Sequence, residues 1–307
     1  MLSYLFRRIF TAFITLLVAC LAVGTLMHLV PGDPVQMMMA QMSFVSIEQM
    51  DEMRHRLGLD LPAWQQSVNY VWMVLHGDFG ITIFGRESVL ELLLGRLPNT
   101  LLLTLSSLLV ALLIGLPSGI IAAYKRGSAL DNFLMFIAVL GVSVPAFWLG
   151  MILLIIFSLN FEFVPVAGGG VFSVILPSLT LGLVYSAVIA RMTRSAMIEI
   201  LTEDFIRTAR AKGLTEKVVL FRHALKPSMI AVITTIGMIF GYLMGGQVIV
   251  ENVFSWNGIG RLAVYAMLQR DYPMIQGFIV LFTTIIVSVS VLLDLIYAWL
   301  DPRIRYG

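Results

Sequence analysis

Of 307 residues, 59% are hydrophobic and only 12% are charged. A soluble globular domain carries about 25% charged residues, so composition excludes that class and places the chain among membrane proteins. The net charge of +2 says little beside its distribution, no nucleic-acid partner is expected, and a single cysteine excludes an internal disulfide.

A helix needs roughly 20 apolar residues to cross a ~30 Å hydrocarbon core. Uncharged runs long enough for this fall at 9–32, 97–124, 132–161, 163–190, 227–250 and 272–293, which predicts six spanning helices. The first is retained as a helix and not a cleaved signal: Leu17-Val18-Ala19-Cys20 has a lipoprotein-like pattern, but the apolar run continues beyond it. Fourteen of the 20 Lys and Arg residues fall on one side if both termini are cytoplasmic, the orientation the positive-inside rule selects.

Between the first two spans, 31–98 forms an external segment. A capping-box pattern at Ser46 and Gln49 with a stop at Gly58 predicts one helix there. A second is expected at about 61–76 and a third at about 86–96, ending before Pro98, with short extended pieces around Phe79 to Phe84. The chain thus divides into 1–30 (N-terminus and first span), 31–98 (external segment) and 99–307 (a five-helix core carrying an internal loop at 191–227). Pro117 and Pro145 lie inside apolar runs and favour kinks. Asn257-Gly258 favours a turn in the external connection before the last span.

Nucleotide and metal chemistry is missing from the pattern. Gly80 to Gly85 has phosphate-loop spacing, but Arg86-Glu87 stands where Lys-Ser/Thr is required. The four histidines, 28, 55, 76 and 223, lack metal spacing, and Met37, Met38, Met39 and Met42 read as packing residues. No catalytic or metal residue is assigned. Asp294, inside the last span, is read as snorkelling or pairing with Arg191 or Arg194 in preference to proton coupling.

The internal loop is the informative stretch: EDFIRTARAKGLTEKVVLFRHALKP, 203–227. Thr202 suits a helix N-cap, Glu203 and Asp204 favour the positive end, and Glu203 with Arg207 is an i,i+4 pair. Thr208, Ala209 and Ala211 keep the helix slim, Lys212 lies near its negative end and Gly213 suits the C′ position. A second helix starts at Thr215 and runs toward Pro227. Two helices broken at Gly213 make a compact knob, shaped to enter a partner's groove.

DFIRTARAKG followed by RHALKP resembles the cytoplasmic coupling motif of ABC-transporter permeases in the dipeptide, oligopeptide and nickel family. PGDP at 31–34, RLGLD at 56–60, GDFG at 77–80, SVPAFWLG at 143–150, LPSLTLG at 176–182, VENVFSWNGIGRL at 250–262, RDYP at 270–273 and DPRIR at 301–305 match in the expected order. The pattern departs at HALKPSMIA, with proline at 227, and at FSWNG where FSWPG is common. The resemblance implies an all-α polytopic membrane protein with the type I importer fold. It implies a non-enzymatic subunit that itself binds no cofactor, ATP and Mg being held by partner ATPases.

The implied partners are a second, homologous permease in a heterodimer, two ATPases, a periplasmic or lipid-anchored solute-binding protein and membrane lipid, all at a bacterial or archaeal cytoplasmic membrane. The implied ATPase-coupling residues are Glu203, Asp204, Arg207, Thr208, Ala209, Arg210, Ala211, Lys212 and Gly213. Ser143, Tyr185, Ser186, Thr234 and Gln247 are candidates to line a translocation pathway. The implied cargo is di- or oligopeptide. The alternatives are nickel, a nickel chelate or another small solute within the same family, and, from another class, a self-contained channel or ion-coupled carrier.

Overall fold

The computed structural model of the protein describes residues 2–26, 47–56, 60–83, 85–160 and 171–300. The Ser46 cap, the Gly58 stop, the methionine cluster, His28 and the 301–305 tail lie outside them. The described helices are α1 (Leu2–Leu26), α2 (Ile47–Arg56), α3 (Ala63–Leu75), α4 (Val89–Tyr124), α5 (Ala129–Ser143), α6 (Ala146–Leu154), α7 (Ile175–Leu201), α8 (Asp204–Ala211), α9 (Glu216–Val218), α10 (Leu225–Met244), α11 (Val248–Val253), α12 (Ile259–Gln269) and α13 (Tyr272–Leu300). No strand occurs among the described residues, only an isolated antiparallel bridge between Ile81 and Ser88, where extended pieces were expected.

Five stretches are long and apolar enough to cross a membrane, 6–25, 89–124, 172–201, 216–244 and 272–296. A sixth is possible only as a pair of helices, 129–143 and 146–158, bent by 96°. The third run is therefore broken and not one rod. Val144 and Pro145 are both extended (ψ 125° and 131°), and Pro145 starts the next helix, the position where a missing N–H and a fixed φ cost least. Pro98 does not end a helix as expected: it and Pro117 both sit inside the 36-residue α4, so the 86–96 helix and the second span are one element.

By packing, the chain forms two compact units, residues 1–98 with 257–291, and 99–256 with 292–307. In the first, α3 packs on α1. A Cβ at Gly24 would lie 2.9 Å from Ser67 Cα, and the Thr25 and Ser67 hydroxyls are 3.3 Å apart. A second cluster joins Val89 and Leu93 to Ile259, Ala263, Ala266, Met274 and Phe278. Asp271 caps α13: its carboxylate accepts from Met274 N at 3.3 Å and from Ile83 N at 3.1 Å, tying the 79–88 turn to that helix start. Burial pushes the Asp271 carboxyl above the usual range, against the pull of those two N–H groups.

In the second unit, α4 and α7 run in the same direction along a seam of small residues. Ser106 and Ser178 share a 2.6 Å hydrogen bond. A Cβ at Gly182 would lie 2.5 Å from Val110 Cβ, one at Gly115 would lie 2.7 Å from the Ser186 carbonyl oxygen, and one at Gly119 would lie 2.6 Å from that of Ala190. Gly115 and Gly119 form a G-x-x-x-G step, which lets helix backbones approach closely where lipid offers no hydrophobic drive. The core continues through Leu103, Ala111, Leu181, Ile189, Ile239 and Leu243 to Phe254 and Trp256. Phe254 fills the space beside Gly150, and Trp256 Nε1 donates to Asn99 O at 3.1 Å. The chain turns at Ser255 (φ +50°), with Trp256 N donating to Glu251 O, whereas Gly258 is extended; the turn expected at Asn257-Gly258 has moved upstream. Arg194 is engaged by Asp131.

The seam predicts that Gly119→Leu lowers the thermal unfolding midpoint in detergent and broadens the size-exclusion peak, since overpacking against backbone costs about 1–3 kcal/mol or more. Gly95→Ala, which meets nothing within 4 Å, serves as the tolerated control. Asp271 predicts a pH signature. A raised folded-state pKa means that the folded state binds more protons in the window between the ordinary carboxylate value and the raised one, so stability contributed by this group rises as pH falls through that window. The midpoint of the wild type, compared with Asp271→Asn, should therefore gain as pH is lowered from 7 toward 4.

Candidate functional site

The knob expected at 203–227 is present, and its construction differs in detail. Glu203, not Thr202, occupies the N-cap position of α8, in extended conformation and without a side-chain cap; the Thr202 hydroxyl donates back to Glu199 O at 2.7 Å, closing the end of α7. Arg207 reaches Asp204 at 3.5 Å, not Glu203, and both side chains are exposed, so this pair contributes little. Thr208 Oγ1 donates to Asp204 O.

At the other end the sequence reading holds. Lys212 is the C-cap and Gly213 adopts φ +77°, with Gly213 N donating to Arg210 O and Leu214 N to Ala209 O. These two bonds satisfy the last carbonyls of the helix in a Schellman motif. A residue with a Cβ there would cost about 1–2 kcal/mol.

Two further contacts hold the elbow. Arg210 grips Glu216 with a fork, Nε to Oε1 at 2.8 Å and Nη2 to Oε2 at 3.5 Å. Beneath it, Ile206 (0% exposed) and Ala209 (6% exposed) pack with Ala123, Met197, Val219, Leu220 and Ala224. Full burial of a side chain such as Ile206 stabilises by roughly 1.5–3 kcal/mol. Ala209 is thus small because its own chain presses on it, and Arg210 is committed to its own chain's Glu216. The face left outward carries Asp204, Phe205, Arg207, Thr208, Ala211, Lys212 and Gly213, and Phe205, 46% exposed, is its large apolar side chain.

The second helix does not stop at Pro227. From Glu216 the chain passes through a π-helical turn, Val219–Ala224, into α10 without a break. A proline ring crowds the carbonyl four residues back. Here that carbonyl belongs to His223 within the wider turn, which gives the ring room. The loop's second half is therefore the foot of a membrane-crossing helix.

The pathway candidates separate into two groups. Ser143, Ser186 and Thr234 bond their own helices, at Val139 O (2.9 Å), Leu183 O (2.7 Å) and Ile230 O (2.8 Å). Tyr185 and Gln247 lie near one another, and Gln247 Nε2 donates to Tyr242 O at 3.5 Å. Tyr242, which sequence reasoning missed, meets Tyr185 edge-on with ring centroids 6.4 Å apart and is itself exposed. The signal for it was available, a second tyrosine near the end of the adjoining span.

Comparison with known proteins agrees with this geometry. The chain matches the family model described as binding-protein-dependent transport system inner membrane component over residues 115–306, and the corresponding N-terminal model over residues 1–104. It is 39% identical over 338 aligned positions to the dipeptide transport system permease protein DppB of Escherichia coli K12, covering 100% of this chain and 99% of that one. It is 40% identical over 307 positions to the glutathione transport system permease protein GsiC of the same strain, covering 100% of both. Among solved structures, an inward-facing form of the MetNI methionine ABC transporter superposes with a TM-score of 0.57 at 20% identity, over 68% of this chain and 96% of that one, which speaks to the fold alone. A multi-pass helical chain with a structured knob between its 172–201 and 216–244 spans, matched over its whole length by such permeases, belongs to the family of inner membrane components of binding-protein-dependent transport systems.

Proposed function

We propose that this chain is one of two permease subunits of an ATP-driven importer that carries short peptides into the cytoplasm, with α8 as the element that receives the motion of a partner ATPase. The observation that carries the cargo reading is the full-length identity of 39–40% to permeases named for a dipeptide and for glutathione, itself a tripeptide. The coupling reading is supported by a helix capped at Gly213, forked at Arg210–Glu216 and seated on an apolar base. Such a helix can pass on a push as a unit, and only its outward face meets the partner.

In this reading both termini and the knob are cytoplasmic, consistent with the weight of Lys and Arg near the knob. A second, homologous permease completes the pathway, and an external binding protein delivers the peptide. ATP and Mg belong to the ATPases. Closure of the ATPase pair moves α8, and with it the ends of α7 and α10, which switches the pathway between its two openings. Tyr185, Tyr242 and Gln247 face that pathway and offer phenol and amide groups suited to a peptide backbone, without charge that would select one side chain.

Proteoliposomes holding the complete assembly should take up labelled dipeptide or glutathione only when ATP and the binding protein are both present; uptake by this chain alone would sink the importer reading. Within that assay, Thr208→Trp, on the outward face, should leave folding intact and reduce peptide carried per ATP by tenfold or more. Ala209→Leu should act differently, lowering thermal stability of the isolated chain by about 1–3 kcal/mol because it overpacks the knob's own base. Photo-crosslinking from position 242 distinguishes the pathway reading: adducts with peptide support it, and adducts only with the second permease or lipid reject it.

A further inference from the structure

At the end of α5 and α7 nearest the knob lies an ion pair. Asp131 is 1% exposed. Its two oxygens accept from Arg194 Nε at 2.6 Å and Nη2 at 2.8 Å, and Oδ2 also accepts from Gly127 N at 2.9 Å. Its own N–H is held by the Ser128 hydroxyl, which caps α5. With its carboxylate buried and its guanidinium partly exposed, a pair of this kind is weak evidence for stability, because desolvation offsets much of the attraction. What it does supply is geometry: a two-pronged guanidinium–carboxylate contact fixes both distance and angle, whereas apolar surfaces slide.

The position of the pair gives that geometry a use. Arg194 lies seven residues, about 10 Å, before Leu201, where α7 ends and the chain turns through Thr202 and Glu203 into α8. Asp131 is in the first turn of α5, whose far end is the 96° bend at Val144–Pro145. Between these points α5 packs along α7, with a close approach where a Cβ at Gly141 would lie 3.1 Å from Ala187 Cβ. Displacement of α8 therefore reaches α7 directly, and reaches α5 through the packed α5–α7 face, which the fork closes at the end nearest the knob.

We infer that the Asp131–Arg194 pair is a positioning element of energy coupling: it makes α5, and through it the bend before α6, follow the knob. Neither side chain meets peptide or ATP. The role rests on the coupling reading above, which it extends from the knob to the broken third crossing.

The test uses the complete assembly in proteoliposomes, wild type in parallel, with a radiolabelled dipeptide, ATP hydrolysis and co-purification of the ATPases measured together. Asp131→Asn combined with Arg194→Met removes both charges, so that neither is left buried alone. The expected result is an assembly that forms, hydrolyses ATP within twofold of wild type and carries at least tenfold less peptide per ATP. Arg194→Lys, which keeps the charge and loses the fork, should fall between the two. Wild-type peptide per ATP in the doubly neutral variant would overturn the inference, and so would failure of that variant to assemble, since the pair would then serve folding. Absence of ATP-driven uptake by the wild-type assembly is a separate outcome, and it would remove the importer reading itself.

Discussion

The close approach of α4 and α7 is the constraint on which the larger packing unit depends. Where Gly115, Gly119 and Gly182 leave no side chain, backbone and Cβ atoms of the facing helix occupy the space that a Cβ would take. Lipid is as apolar as leucine, so these helices are held by contact and by the Ser106–Ser178 bond, not by exclusion from water. Shape is then decisive. A seam that admits one register fixes α7 along its length, and everything α7 carries is fixed with it: the α5 contact at Gly141, the Arg194 fork and the entry into the knob.

The knob shows a second use of small residues. Ala209 and Ala224 let α8 lie against the foot of the next membrane helix, while Gly213 supplies a left-handed turn that other residues adopt only at a cost. A helix of eight residues is too short to be stable on its own in water. It holds its form because its C-terminal end is satisfied and its inner face is buried. The outer face is left exposed, its side chains outside the packed base.

Much of this was legible in the sequence, and the failures have physical causes. Run length located the crossings, because the cost of a charge in hydrocarbon outweighs any local propensity. Gly213 was legible because αL conformation has a strong residue signature. Capping was misplaced by one residue, since Thr202 can serve either the end of α7 or the start of α8, and only the folded backbone decides between them. Pro117 and Pro145 were read alike and behaved differently: Pro117 is carried within α4, as Pro98 is, while Pro145 stands at the start of α6. Composition cannot tell which freed carbonyl a neighbour will satisfy. Asp131 gave no signal at all. It stood at the edge of a charged loop, and its importance comes from Arg194, 63 residues away in the chain.

The seam also imposes an order on biosynthesis. Gly119 leaves the ribosome about 70 residues before Thr193, which faces it in the folded chain. At 5–20 residues per second this leaves α4 in the bilayer for roughly 4–15 s with its notch open. A glycine notch is well suited to that wait, since it presents no unsatisfied polar group and no protruding side chain to the wrong neighbour. The broken third crossing is made during the same interval, so α5 and α6 enter a membrane in which their eventual scaffold does not yet exist.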